Sequence, residues 1–369
     1  MGAYLIRRLF LLVPTMFGVM VINFIIVQAA PGGPIERVLA AMKGQSTSHT
    51  ARFSGSGSEQ LGQRDVSPHT SSSISQYYEG SRGIEPELIQ ELERYYGFDK
   101  PASARFIEMM QRYILFDFGE SFYRDRTVLQ LIADKLPVSI SLGLWTVLLV
   151  YLISIPLGIR KAVHDGTAFD IWTSTCIIIG YAIPGFLFAI LLIVLFAGGS
   201  FLDIFPLRGL TSDDWHDLSF FGKIVDYLWH ITLPVCAMAL SGFAGLTLLT
   251  KNSFLDEMNK HYVITAYAKG LQEKAVLYGH VFRNAMLIVI AGFPAAFLSI
   301  FFTSSLLIEV IFSLDGLGLL GFEAALGRDY PVLFATLYIY TLLGLLMKIV
   351  SDFTYVLIDR RIDFETRQY

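Results

Sequence analysis

Long, mostly apolar runs alternate along this chain with shorter polar stretches. Six runs stand out: 9–30, 136–158, 171–197, 231–250, 285–308 and 332–357, and the first five contain no Asp, Glu, Lys or Arg. A rise of ~1.5 Å per residue across ~30 Å of hydrocarbon requires about 20 mostly apolar residues, so each run is long enough to cross a bilayer. Lipid cannot satisfy exposed backbone groups, so such runs must be helices. The pattern therefore predicts an all-α polytopic membrane protein with six transmembrane helices. Pro14, Pro184, Pro234 and Pro294 fall inside runs, where they predict kinks rather than breaks. The first run follows Arg7 and Arg8 and ends in Gln28-Ala29-Ala30. Its apolar core exceeds the roughly 7–15 residues of a signal peptide, which points to a retained anchor.

Between the runs the pattern changes character. Residues 1–30 form a short tail and the first span, and 31–135 form a large loop. Within that loop, 44–83 carries eleven serines and little apolar material. Such a stretch cannot bury enough surface to offset its ordering entropy, so a flexible insertion is expected. A flap that binds peptides is the alternative for it. From 84 to 135 short amphipathic helices are expected. Pro86 suits a first turn, Leu88, Leu92, Tyr95 and Tyr96 share a face, and Gly97 can cap. A second helix carries Phe106, Met109, Met110 and Tyr113. A third begins at Thr127, with Gln130 completing a capping box. The remaining spans form the core, 136–357, with a soluble loop at 251–283 and a tail at 358–369. In that loop 256–271 is helical in pattern up to Gly270, a residue able to take the positive φ of a helix stop. Ala266, Ala268 and Gly270 are small and would let another protein approach the backbone. An ordinary surface hairpin is the plainer alternative.

Composition agrees with the periodicity. The 369 residues are 54% hydrophobic and only 16% charged, where soluble domains have about 25% charge; mean hydropathy is +0.54. The net charge of −4, with no basic domain, excludes a nucleic-acid binder. Lys and Arg in short loops set orientation. Placing both termini in the cytoplasm puts twelve on that side: Arg7, Arg8, Arg160, Lys161, Lys251, Lys260, Lys269, Lys274, Arg283, Arg360, Arg361 and Arg367. The two short outer loops, 198–230 and 309–331, then hold three, Arg208, Lys223 and Arg328. The loop 31–135 becomes periplasmic. Lys348 and Asp352, four residues apart in the last run, are expected to form a mutual intramembrane ion pair. Cys176 and Cys236 sit in apolar runs and read as buried small hydrophobes. No phosphate-binding Gly-x4-Gly-Lys-Ser/Thr, His-Glu-x2-His or Gly-x-Ser-x-Gly context is present, so catalysis and metal binding are not expected.

The loop residues Tyr262-Val263-Ile264-Thr265-Ala266-Tyr267-Ala268-Lys269-Gly270-Leu271, followed by Arg283-Asn284-Ala285, resemble the EAA coupling motif of binding-protein-dependent ABC importer permeases, in its peptide-transport variant. Ile264, Thr265 and Ala266 stand at the EAA triplet and Gly270 at the motif's glycine. The resemblance extends through Tyr4–Leu9, Ala30-Pro31-Gly32, Leu92–Pro101, Phe116–Ser121, Glu309–Ser313, Gly316-Leu317-Gly318 and Arg328–Pro331. It covers nearly the whole chain except 44–83. Within the family the likeness is greatest to the Yej-type branch of oligopeptide and microcin C permeases, on Gly292–Phe297 and Arg361–Glu365. Ile288 and Arg360 depart from the family pattern, standing where many relatives have proline.

The resemblance implies a heterodimer of two permeases, two cytoplasmic ATPase domains that hold the ATP and Mg, a periplasmic peptide-binding protein, and a bacterial inner-membrane location. It further implies that Asp256, Glu257, Lys260, Ile264, Thr265, Ala266, Lys269, Gly270 and Leu271 couple the permease to an ATPase, and that this chain itself carries no cofactor. An ion-gradient-driven secondary transporter is the competing class. It requires intramembrane carboxylates or repeated broken half-helices, and the runs supply only Asp352. The substrate-binding residues are not legible.

Overall fold

The structure, a computed structural model, describes residues 2–29, 33–42, 86–95, 97–197, 201–303 and 305–358. The serine-rich stretch 44–83 and all but the first residue of the tail 358–369 lie outside them. The described residues are almost entirely helical. In chain order the helices are α1 (Gly2–Ala29), α2 (Pro34–Met42), α3 (Pro86–Tyr95), α4 (Ala102–Ile114), α5 (Val128–Val163), α6 (Ala168–Ala182), α7 (Gly185–Phe196), α8 (Phe220–Met258), α9 (His261–Ala268), α10 (Glu273–Val276), α11 (Phe282–Thr303), α12 (Ser305–Ile311), α13 (Leu317–Gly327) and α14 (Tyr330–Ile358). Five helices are long and apolar enough to cross a membrane: α1, α5, α8, the stretch Glu273–Ala296 ending in α11, and α14.

The third predicted span is the exception. It is two helices, α6 and α7, that meet at 94°. Pro184 breaks this run rather than kinking it. Its ring disfavours helical backbone at the residue before it, and Ile183 is extended at φ −82°, ψ 120°. The other membrane prolines sit inside continuous helices: Pro14 in α1, Pro137 and Pro156 in α5, Pro234 in α8 and Pro294 in α11.

The chain divides into two compact units. The first comprises Met1–Phe10, Lys135–Leu319 and Leu343–Tyr369. Its centre is α8, which packs on α6, α7 and α11. One cluster gathers Leu142, Ala189, Leu192, Ile231, Leu233, Val235, Ala237, Met238, Ile308 and Phe312. Close approach of α5 to α8 depends on glycine: a Cβ on Gly158 would lie 2.6 Å from Thr250 Cβ and 2.8 Å from the Thr247 carbonyl oxygen. The predicted loop 309–331 contains the apolar helix α13. Its first turn is held by Glu309, which is fully buried; Oε2 accepts from the Leu319 N–H at 2.7 Å, and Ser139 Oγ accepts from the Leu317 N–H at 2.9 Å. Any side chain at Gly316 would collide with that carboxylate.

The second unit comprises Leu11–Asp134 and Leu320–Leu342. The predicted caps appear here. Gly97 has φ 72°, and Thr127 Oγ1 accepts from the Gln130 N–H at 3.4 Å, after which α5 continues through Pro137 without interruption. Two of the quoted blocks, 116–121 and 328–331, meet across 208 positions of sequence. The Asp329 carboxylate accepts from Ser121 Oγ and from the Phe122 N–H at 3.1 Å.

Candidate functional site

The loop after the fourth span is built on the end of α8. That helix has 39 residues, or ~58 Å at ~1.5 Å each, against ~30 Å of hydrocarbon. It therefore projects well past the stretch 231–250. Asp256 and Glu257 belong to its last turn, not to the start of one helix over 256–271 as the periodicity suggests. The break falls at Asn259-Lys260. Asn259 ends α8 and its side chain donates to the Leu255 carbonyl at 3.0 Å, the local competition with backbone that makes Asn a poor interior helix residue. Lys260 is extended (φ −78°, ψ 148°) and opens α9.

The far end of α9 is a glycine stop. Gly270 has φ 80°; its N–H donates to the Tyr267 carbonyl at 2.9 Å and the Leu271 N–H donates to that of Ala266 at 3.3 Å. This is the paired arrangement of a Schellman cap. The α8–α9 corner is locked by Glu257, which is buried at 7% exposure. Lys260 Nζ donates to its Oε2 at 2.5 Å; Tyr262 OH and Asn284 Nδ2 donate to its Oε1 at 2.8 and 3.1 Å. Burial pushes this carboxyl up, but the hydrogen bonds from Lys260, Tyr262 and Asn284 outweigh burial and hold it below its ordinary value. One carboxylate thus ties the ends of α8, α9 and α11.

The two faces of α9 differ. Val263 and Ala266 point inward, into a cluster with Ile159 and Ala162 of α5, Phe254 of α8, Val276, Leu277, Val281, and Ala285, Met286 and Val289 of α11. Ala266 is therefore not a point of approach for a partner. Its size serves close packing of α9 on the membrane helices, because the spacing to Val263 puts both on the inward side. The outward face is apolar: Ile264 is 59% exposed, Tyr267 44% and Leu271 40%. Asp256, Lys260, Thr265, Ala268, Lys269 and Gly270 are also exposed. Among the described residues no group of three or more His, Cys, Asp and Glu is gathered as a metal site.

Two charged arrangements near helix ends differ from expectation. Asp352 pairs with Arg8 of α1, not with Lys348. An (i, i+4) partner on one helix gains little, whereas α1 and α14 bring the Arg8 guanidinium alongside the carboxylate. Lys161 and Lys251, counted in the sequence as free loop charges, bracket Asp170. Lys161 is fully buried; its Nζ lies 2.9 Å from Asp170 Oδ1 and donates to Thr173 and Ser174 hydroxyls at 2.8 and 2.7 Å. Lys251 reaches Asp170 Oδ2 and Asp165 Oδ1, both at 2.7 Å. The sequence did hold a signal: three opposite charges lie at matching ends of spans two, three and four. Cys176, expected to be buried, is exposed, and Cys236 is half-buried.

The family described as "Binding-protein-dependent transport system inner membrane component" matches residues 154–364, which include the whole α8–α11 loop. The chain is 59% identical to the inner membrane ABC transporter permease protein YejB of Escherichia coli O157:H7 over the full length of both. It is 60% identical, again over both full lengths, to the peptidoglycan transport system permease protein YejB of Agrobacterium fabrum. A more distant relative, the oligopeptide transport system permease protein AppB of Bacillus subtilis, is 31% identical over 99% of this chain and all of its own.

Proposed function

Since the chain belongs to the family of binding-protein-dependent transport system inner membrane components, a multi-pass inner-membrane permease of the ABC peptide-transport type, we propose that it imports peptides or peptide-like compounds by alternating access, driven by separate ATPase subunits gripping α9. The relatives' names supply the substrate class: peptidoglycan in one and oligopeptides in another. In this reading both termini and the α8–α11 loop are cytoplasmic, and 31–135 is periplasmic and receives a peptide-binding protein. A second permease completes a heterodimer over two cytoplasmic ATPase domains.

The observation that carries the reading is the two-sided character of α9. Outward, it offers Ile264 and Tyr267, with Leu271 just past its Gly270 stop, beyond the membrane stretch of α8. Contiguous exposed apolar surface marks a place for a partner. Inward, it is fused through one core to α5, α8 and α11. Packed cores resist continuous deformation, so a displacement of α9 by an ATPase moves the ends of three membrane helices together. The Glu257 hub closes the corner through which that displacement passes.

Gly270→Asp tests this. The position needs φ 80°, strained for any side chain, and the added charge sits beside the outward face. In the reconstituted complex, ATP-dependent peptide uptake should fall at least tenfold while membrane insertion and subunit assembly persist. Uptake at the wild-type rate by an intact complex would refute the coupling role.

A further inference from the structure

Helix α4, in the long loop after the first span, packs far down the membrane helices. The ring of Phe106 lies 5.7 Å from that of Phe17 and 5.2 Å from that of Phe24. In α1 these two residues stand 12 and 5 positions before Ala29, or ~18 and ~8 Å below that end. Past the end of α4, Tyr113, Phe116 and Phe118 all ring Tyr338, at 5.4, 6.2 and 5.7 Å. Tyr338 lies eight residues into α14, ~12 Å from its start. One hydrocarbon leaflet is ~15 Å deep. Two separate spans thus hold α4 and the tip after it beside residues ~8–18 Å in from the helix ends.

The surface of α4 is divided into three strips. Phe106 and Tyr113 face α1 and α14. Glu108, Met109 and Arg112 border a cavity of about 460 Å³, shared with Lys100 and Asp117. Two pairs of its charges are joined, Lys100 with Glu108 and Arg112 with Asp117, at 2.7 and 2.8 Å; Arg94, Asp99 and Arg105 also line it. The third strip is mostly apolar, with Ser103 and Gln111 also exposed on it. Ile107 is 56% exposed, Ile114 68%, Leu115 80% and Phe116 50%. The tip is rigid. Phe116 is held at φ 56°, its N–H and that of Asp117 donate to the carbonyls of Tyr113 and Arg112 at 3.0 Å each, and the Asp117 carboxylate accepts from the Gly119 N–H at 3.1 Å.

We infer that α4 and the tip Ile114–Phe116 are sunk in the bilayer leaflet on the Ala29 side, with Ile107, Ile114 and Leu115 covered by lipid acyl chains. The occupant follows from continuity. Phe106, next to Ile107, packs on Phe17 of α1, part of an apolar surface where Phe17, Ile22, Ile25 and Ile26 are 51–60% exposed, and an inner-membrane permease presents such a surface to lipid. The division of charge fits as well: the three ionised groups of α4, Arg105, Glu108 and Arg112, all border the cavity, and Arg105 donates to Gln28 Oε1 at 3.0 Å near the end of α1. The region between the first two spans is then a partly embedded element, not a purely aqueous domain.

The test is site-directed fluorescence quenching on the assembled transporter in lipid nanodiscs. Bimane is attached to single cysteines at Ile107, Ile114 and Leu115, with Glu108 as the cavity-side control, in a Cys176→Ser, Cys236→Ser background. Phosphatidylcholine with nitroxide on the acyl chain should quench the first three at least threefold more than Glu108, and aqueous iodide should show the reverse order. Iodide quenching of Ile114 and Leu115 equal to that of Glu108 would overturn the inference by placing the strip in water. Protection from both quenchers would overturn it by placing another subunit there.

Discussion

At the residue scale, single side chains hold the junctions on which the rest depends. Glu257 is held ionised by donors from two helices and by Lys260, and its carboxyl lies below its ordinary value because those hydrogen bonds outweigh burial. A carboxyl lowered in the folded protein stabilises it above the unfolded value of about 4.3 and loses that contribution as pH falls through the folded value. Amide exchange in α9 should therefore be slower in wild type than in Glu257→Gln at pH 7. The two should converge as pH falls through the folded value of this carboxyl, below the unfolded one; equal exchange in the two proteins already at pH 7 would show that packing alone holds the corner. Gly158 acts by having no side chain. Ala at that position places a Cβ against Thr250 and the Thr247 carbonyl, and overpacking of this kind costs about 1–3 kcal/mol. Gly158→Ala should lower the thermal midpoint of the purified complex. Gly245→Ala, where no neighbour lies within 4 Å, should leave it unchanged.

At the element scale, the helices differ in how much their own sequence dictates. Helix α9 is short, eight residues, below the length at which an isolated helix is stable in water. Its stability comes from the inward cluster and the Gly270 cap, which leaves the outward residues unconstrained by packing. Ile264→Asp should therefore preserve the fold, judged by an unchanged thermal midpoint, while weakening the association of the permease with its ATPase at least tenfold in pull-down from detergent. Undiminished association would move the docking surface away from α9. The α6–α7 pair shows the opposite dependence: a single Ile183-Pro184 step turns an unbroken apolar run through 94°, a bend that hydropathy averages away.

At the scale of the whole molecule, several ion pairs among the described residues lie toward the ends of the spans. Arg8–Asp352 and Lys161–Asp170–Lys251 join helices rather than lining a relay. A machine powered by an ion gradient needs titratable groups along its path; a lever powered from outside needs rigid joints. Proteoliposomes holding the assembled complex and its binding protein should accumulate peptide with ATP on the ATPase side and show no uptake with a proton gradient alone. Gradient-driven uptake without ATP would reverse the assignment.

Sequence by itself determined the number and place of the apolar runs, the helix stops at Gly97 and Gly270, and the Thr127 cap. Each of these depends on local chemistry: transfer of apolar residues to lipid, the φ freedom of glycine, a hydroxyl one turn from an orphan N–H. Tertiary structure alone decided which face each helix buries and which charge meets which. The inward turn of Ala266, the Arg8 partner of Asp352, the burial of Lys161, the Glu309 hold on α13 and the meeting of Ser121 with Asp329 all join residues distant in the chain or choose between faces of one helix. A helix that is apolar on every side has no preferred face in its own sequence; only the neighbours that pack against it select one.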